Sequence, residues 1–515
     1  MKTHFPFITL FLILFSVNSF SQPGILDCDF NSDGKIITDF GTDNDAASSI
    51  AVQTDGKIII AGTTIEPITL DNLLITRYTP DGNIDQTFAT NGFDTLGFSD
   101  AMDRPHSVII QPDEKILIAG SSYLSGKSFY FVVRYNANGS LDNSFGNNGK
   151  LFSQIDGKFT YVSSIMLAPD GKIFCGGSCD TDLLLFKLLS DGSIDNTFGT
   201  NGYVTTDMSP DETIVKIAIQ SDGKILAAAQ VGGFSTKYDF GLLRYNSNGT
   251  LDSTFSYDGK LFTSFGPDHD YCNDMCLAPD GKIFLAGTSN TNPTNSFALI
   301  KYNSNGSIDL SFNQSGKVLM PIRKSSICNS VELQEDGKIL ISGYSLDDSN
   351  NSDFTLVRLN INGSIDSTFG TDGIVLTDFG TNVDYSTCMA IQPDGRILLG
   401  GKSDLNFFNI VAIARYISGL NIGIIDFTTD ANSVFIYPNP VNSETVIEYE
   451  LLNDEILSVD LFDMNGKLIK TFISNETRNK GKHKETLNFD ESIKAGNYIL
   501  SLKNNSNHFE IKIIK

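Results

Sequence analysis

Ile50-Ala51-Val52-Gln53-Thr54-Asp55-Gly56-Lys57-Ile58-Ile59-Ile60-Ala61-Gly62 is an apolar run, a Gly-containing turn and a second apolar run, the pattern of a β-hairpin. Six imperfect copies follow, with turn centres Asp113-Glu114-Lys115, Asp170-Gly171-Lys172, Asp222-Gly223-Lys224, Asp280-Gly281-Lys282, Asp336-Gly337-Lys338 and Asp394-Gly395-Arg396. The basic residue closing each turn recurs at spacings of 58, 57, 52, 58, 56 and 58 between Lys57 and Arg396. A period of that size marks a repeat architecture, in which one unit buries its apolar faces only against its neighbours.

Each unit carries a second landmark. The first is Arg77-Tyr78-Thr79-Pro80-Asp81-Gly82-Asn83-Ile84-Asp85-Gln86-Thr87-Phe88; later copies end at Phe145, Phe198, Phe255, Phe312 and Phe369. Asp-Gly or Asn-Gly at its centre predicts a tight turn, and a further short apolar run follows. One unit therefore holds about four short strands. The seventh hairpin is followed by Arg415-Tyr416, but the Asp and Phe due next are missing. They stand at the other end of the chain, as Leu26-Asp27-Cys28-Asp29-Phe30 followed by Asp33-Gly34-Lys35 and Ile36-Ile37. An open array needs polar caps, whereas a ring whose two ends share a sheet has no exposed edge. The expectation is an all-β protein: a seven-bladed β-propeller over residues 23–418, closed by an N-terminal strand, plus a small C-terminal β-sandwich.

Composition bounds the rest. The 515 residues carry a formal net charge of −24, with 45 Gly and no Trp. That charge opposes nucleic acid and anionic lipid, both of which need a basic footprint. Residues 1–21 read as a signal peptide: Lys2, an apolar core from Phe5 to Val17, and Ser19-Phe20-Ser21 before Gln22. No Cys follows that cut, which argues against a lipoprotein anchor, and no later stretch is expected to span a membrane as a helix. Seven Cys leave at least one unpaired in a monomer. Cys175 with Cys179 and Cys272 with Cys276 have metal-like spacing, but Cys175 and Cys276 fall in apolar runs, where Cys behaves as a small hydrophobe.

The motifs around Gln392-Pro393-Asp394-Gly395-Arg396-Ile397-Leu398 and Asn305-Gly306-Ser307-Ile308-Asp309 with Phe312 resemble the delta-60 repeat family of bacterial β-propellers. The unit is also similar to NHL-type propeller repeats. That likeness implies that the Gln-x-Asp-Gly hairpin joins the innermost strand to the second. Residues 419–432 read as a linker. Within 433–515, Tyr437-Pro438-Asn439-Pro440, Asp463-Met464-Asn465-Gly466-Lys467, Ala495-Gly496-Asn497-Tyr498 and Lys512-Ile513-Ile514-Lys515 resemble a type A sorting domain of the type IX secretion system of Bacteroidota. The resemblance implies export across the outer membrane, with Tyr437, Pro438, Asn439, Pro440, Gly496, Tyr498, Lys512 and Lys515 carrying the sorting motif and the secretion machinery as partner.

Repeated charges read as structure. The position of Arg77 is basic in all seven units and that of Asp85 acidic in all seven, as an ion pair or turn lock would require. A second acidic set, Asp45, Asp103, Glu212, Asp270 and Asp384, precedes the innermost strand, with Thr160 and Ser326 in the other two units. By the NHL likeness these carboxylates would ring one mouth of a central channel and bind a cation or ligand. Glu332 interrupts an innermost strand where other units carry apolar residues, and reads as solvent-facing more readily than channel-facing. Asp29, Asn31 and Asp33 match the start of a calcium loop, but Phe40 stands where its Glu should be. The variable connections, rich in Ser, Asn and Thr with Tyr123, Tyr130 and Phe234, suit polar recognition. His106 and His269 fall in different units and form no His cluster, and no catalytic residue is singled out. The expected function is a secreted or surface-displayed binding or adhesion module for a glycan or basic protein, without cofactor unless calcium. The alternatives are a carboxylate-based hydrolase or lyase acting on extracellular polysaccharide or protein, and a structural surface-layer component.

Overall fold

The computed structural model describes residues 22–515 other than 42–43, 66–70, 99–100, 234–236, 291–293, 382, 406–407, 420–433, 438–440, 442, 452, 464–466, 490–492, 495 and 504–507. Residues 1–21, read above as a signal peptide, nearly all of the expected linker and Phe234 thus lie outside the described residues. Every regular element among those residues is a strand, and no helix is long and apolar enough to cross a membrane. The chain divides into two compact units.

The first unit contains seven four-stranded antiparallel sheets, the first being Asn44–Val52, Ile58–Ile65, Asp71–Tyr78 and Phe93–Leu96. In six of them the strands follow one another in sequence and in space. The seventh has Asp384–Ile391, Ile397–Leu405 and Phe408–Tyr416, and its fourth strand is Lys35–Thr38 from the chain start. Lys35 pairs with Ala414 and Thr38 with Val411. Phe30 is fully buried in the same core as Leu398, Val411 and Ile413, so the N-terminal segment supplies the missing half-unit. The first strands of all seven sheets line one cavity of about 280 Å³.

Local chemistry explains the repeat. Gly56 at φ +82° turns the first hairpin, closed by Gln53 N–H to Lys57 O at 2.8 Å. In the second unit Glu114 occupies the same left-handed conformation at φ +62°, where a side chain costs energy. Its carboxylate accepts bonds from Gln53 Nε2 (3.0 Å) and Thr54 Oγ1 (2.6 Å) of the preceding sheet, which offsets that cost. The Arg77–Asp85 pair (2.9 Å) is buried, and Arg77 Nη1 donates to Ala137 O of the next sheet at 2.5 Å. Pairs Arg134–Asp142, Arg244–Asp252, Lys301–Asp309 and Arg358–Asp366 repeat it. Arg415 with Asp27 (2.7 Å) joins the two ends of the repeat array. In the third unit Lys187 lies 4.8 Å from the ring of Phe174, while Lys172 holds Asp195 at 2.8 Å, as Lys115, Lys224, Lys282 and Lys338 hold the Asp of their own units.

In the second unit Val434–Tyr437, Glu444–Leu451 and Gly481–Asn488 form one sheet, and Leu468–Arg478, Glu455–Asp463, Asn497–Lys503 and His508–Ile514 another. Both contribute to one core that includes Ile447, Leu461, Leu487 and Leu500. Of the sorting-motif residues, Pro438, Asn439 and Pro440 lie outside the described residues. Tyr437 ends a strand, and Lys512 faces Ile499 in register. Gly496 and Lys515 exchange backbone hydrogen bonds at 2.8 and 2.9 Å, and the Tyr498 hydroxyl donates to Lys494 O at 2.8 Å.

Candidate functional site

The acidic set has a structural task. Asp45, Asp103, Asp270 and Asp384 are 0% exposed and Glu212 3%. Each accepts a backbone N–H from the loop just before it: Phe40 to Asp45 (2.9 Å), Phe98 to Asp103 (2.7 Å), Met208 to Glu212 (2.6 Å), Phe265 to Asp270 (2.6 Å) and Phe379 to Asp384 (2.9 Å). Thr160 does the same for Ile155. In the sixth unit the residue five before Ser326 is Pro321, which has no N–H to satisfy, so no acid is needed. These side chains lock loops, and their burial corrects the expectation of a carboxylate ring open to solvent. Burial raises the Asp103 and Asp384 carboxyls and pushes Glu212 up to about 7. Asp384 also has oxygens of Asp353 and Asp378 within 4.8 Å, but Arg323 pairs with Asp353.

The calcium-like loop is explained in the same way. Asn31 Nδ2 donates to Lys35 O at 2.7 Å and Asp33 accepts Lys35 N–H at 2.9 Å, while Asp29 N–H bonds Asp27 Oδ1 at 3.2 Å. Tyr130, read as a candidate stacking residue, is buried at 1% exposure, whereas Tyr123 is 45% exposed. All seven Cys are free thiols, and the two closely spaced pairs form no metal cluster among the described residues.

The channel holds the chemistry. Each inner strand with a described register carries a β-bulge, at Ser48, His106, Ser163, Val215, Asn273 and Asn329. An extra residue at a bulge is left without a ladder partner and can be re-aimed. Bulge side chains bond the neighbouring sheet: Asn273 Nδ2 to Cys328 O (2.6 Å) and Asn329 Nδ2 to Ser386 O (2.8 Å), with Ser163 donating to Ile214 O. The next residue repeats a second lock. Ser49, Ser107 and Ser164 accept the N–H of Val108, Ile165 and Ile217.

That second series then breaks. In the fourth unit the Ser position is Lys216, which cannot accept, and in the fifth it is Asp274. Lys216 Nζ lies 3.4 Å from Asp274 Oδ1. Asp274 itself accepts Met275 N–H, the Ser330 hydroxyl and Val331 N–H, each at 2.9 Å. Ala229 of the same fourth unit pairs opposite Ile214, at a position where Gly62, Gly120, Gly177, Gly287 and Gly343 stand elsewhere. Glu332 completes the group and lines the channel, which corrects the solvent-facing reading. Burial pushes its carboxyl up to about 7, Lys216 opposing and Asp274 adding to the shift. Asp274 beside it raises the Lys216 ammonium. His106 lines the same channel, bonded to Ser121 Oγ (3.0 Å) and the Tyr161 hydroxyl (3.3 Å), and burial lowers its imidazole to about 4. One sector thus carries a cation and two carboxylates, and the remainder mixes Ser, Thr, Asn and His with apolar residues such as Ile50, Ile165 and Met389. Lys216 and Asp274 escaped the sequence reading. The signal was present in the series Ser49, Ser107, Ser164, Lys216, Asp274, Ser330, Cys388, but only the bulge register aligns it.

Comparison with known proteins agrees with the repeat. The family described as "Domain of unknown function (DUF5122) beta-propeller" matches residues 53–88, 111–145, 168–198, 220–255, 278–312 and 334–369. The secretion system C-terminal sorting domain matches 435–515. No curated protein matches the chain. Among solved structures, a catalytically inactive virginiamycin B lyase from Staphylococcus aureus with quinupristin is 10% identical, covering 74% of this chain and 98% of that one, TM-score 0.45. Sqt1 from Chaetomium thermophilum is 11% identical over 74% and 97%, TM-score 0.43. Drosophila semaphorin 2a is 8% identical over 95% and 98%, TM-score 0.42.

Proposed function

We propose, from the premise that this chain is built of β-propeller repeats and carries a type IX secretion sorting tail, that it is a secreted or cell-surface binding module. In this reading it is a seven-bladed propeller over residues 23–418, and its C-terminal sandwich addresses it to the secretion machinery. Its channel receives a small group bearing both charge and hydrogen-bonding capacity. The observation that carries this reading is Lys216 at a position where four other units keep Ser, three of them accepting an N–H from the next inner strand, and where the fifth unit's Asp274 accepts likewise. A residue that breaks a repeated lock and brings a charge into a channel is retained against packing, and sites lie where repeats differ. Polar groups converging in a concave cavity are the ordinary signature of a ligand site.

The test is a melting-shift screen of the chain from Gln22 against α-amino acids, polyamines and calcium, run beside Lys216→Ser. A ligand that stabilises the parent and not the variant supports the reading; hits indifferent to Lys216→Ser would overturn it. The runner-up is a hydrolase or lyase, favoured by the Glu332 carboxyl near 7, where an acid–base group works best at neutral pH. Turnover of a polysaccharide or protein that is lost in Glu332→Gln would favour that alternative.

A further inference from the structure

The residue after each loop-locking side chain occupies the same place in every inner strand, at the end of the channel where the variable connections lie. In the third, fifth and seventh units it is Tyr161, Tyr271 and Tyr385, each half-buried. In the second it is Arg104, exposed and paired with Asp71 at 2.7 Å. In the sixth it is Ile327, whose cross-strand partner is Tyr344. Tyr344 and Tyr385 have ring centroids 4.1 Å apart, and Lys402 Nζ lies 5.3 Å from the Tyr385 ring. Tyr271 stacks with His269 at 5.7 Å and 11°. The Tyr161 hydroxyl meets His106 Nδ1 at 3.3 Å, and His106 lines the channel, so this rim is continuous with its wall.

We infer that this tyrosine rim is a binding surface for neutral oligosaccharides. Partly exposed tyrosines grouped with His and Tyr rings pair apolar ring surface with a polar tip, which suits a sugar that is apolar on its ring face and hydroxylated at its edge. Charge narrows the class. A net charge of −24 repels uronate and sulfated polymers. Lys402 over the Tyr385 ring disfavours a basic group there. A neutral hexose chain meets neither objection. None of these tyrosines is needed for the repeat, since other units place Ala46, Thr213 or Ile327 at the same position. The inference rests on the reading of the protein as an extracellular binding module, but uses different residues from the Lys216 cluster.

The experiment is a glycan array of neutral, uronate-bearing and sulfated oligosaccharides probed with the chain from Gln22. It is repeated with the triple variants Tyr161→Ala/Tyr271→Ala/Tyr385→Ala and Tyr161→Phe/Tyr271→Phe/Tyr385→Phe. Neutral glycans should bind the parent, weaken by about tenfold or more in the Ala variant, and stay within about threefold in the Phe variant, because stacking survives loss of the hydroxyl. If the Ala triple does not fold, Tyr271→Ala alone, checked by its melting temperature, carries the test. Binding only to anionic glycans, or neutral binding indifferent to the Ala changes, overturns the inference. An empty array overturns the inference; with Lys216-dependent small-molecule hits the binding-module reading stands, and without them both fall.

Discussion

Thr387 donates its hydroxyl to the carbonyl of Ala47, 340 residues earlier in the chain, at 2.7 Å. It is the same lock that Asn273 and Asn329 make to the next inner strand, and it passes from the seventh sheet to the first. Arg415 repeats the message on the other landmark: it pairs with Asp27 and donates to Pro80 O of the first unit. Three separate repeated interactions, counting the Lys35–Thr38 pairing, are thus completed across the two ends of the repeat array.

Closure should therefore be measurable as stability. Asp27 and Arg415 have side-chain exposures of 3% and 5%. Removing one partner of a buried pair strands the other charge and costs on the order of 3–5 kcal/mol. Asp27→Ala should lower the urea unfolding free energy by about 3 kcal/mol. A partly exposed control, Lys57→Ala, whose partner Asp55 is half exposed, should cost less than about 1 kcal/mol. Equal, small effects would mean that the ends are not held together in solution.

Lys216 should behave differently from a structural residue. Asp274 keeps three other donors, so its charge is not stranded when the ammonium is removed. Lys216→Ser also restores the acceptor found in the first three units. Unfolding free energy should change by no more than about 1 kcal/mol, whereas Asp274→Ala should cost about 2 kcal/mol or more, by orphaning Val331 N–H and the Ser330 hydroxyl. Chemical denaturation of both variants checks the contrast.

The architecture was legible because every unit restates it. Seven turn hairpins, six with Gly and one with Glu114 in its place, and the displaced half-unit at Phe30 identify the repeat number, and only closure lets Leu26 to Ile37 satisfy their pattern. The site was less legible because its meaning depends on register. Asp45 and its counterparts look like ligands in sequence, since an acid before a strand is the same letter whether it faces solvent or accepts Phe40 N–H. The Pro321–Ser326 exception could have exposed that role, because an acceptor disappears where its donor does. Lys216 and Asp274 sit one residue past a bulge, and a bulge shifts which side chain faces the channel without leaving a mark in hydrophobic periodicity.

Stability should peak in mildly acidic solution. Glu212 and Glu332 have folded values of about 7 against an ordinary 4.5. Between those values the unfolded chain releases protons that the fold retains, so stability falls as pH rises from about 4.5 to 7. In the opposite sense, Asp195 is held at about 2, mainly by Lys172, against an ordinary 3.8. The stability it contributes is lost as pH falls through that range. Lys216 draws the Glu332 value down, whereas burial and Asp274 push it up. Glu332→Gln should match the parent at pH 4.5 and exceed it at pH 8, flattening the slope of melting temperature. A parallel slope in the variant would show that Glu332 is already ionised in the fold.

Export should depend on a domain that the propeller does not need for folding. The core of the C-terminal unit is drawn from Val441 to Ile513 alone, and the propeller cores are drawn from residues 30–413. The last residue is fixed through the paired bonds between Gly496 and Lys515, and Lys515 Nζ donates to Phe489 O at 3.2 Å. Deleting 512–515 removes the end of the last strand and these contacts. The expected result is a propeller that melts normally but accumulates in the periplasm, measured by fractionating cells and culture medium. Deleting 433–515 should do the same. Normal secretion of either truncated chain would remove the assignment of the terminal strand as the export signal.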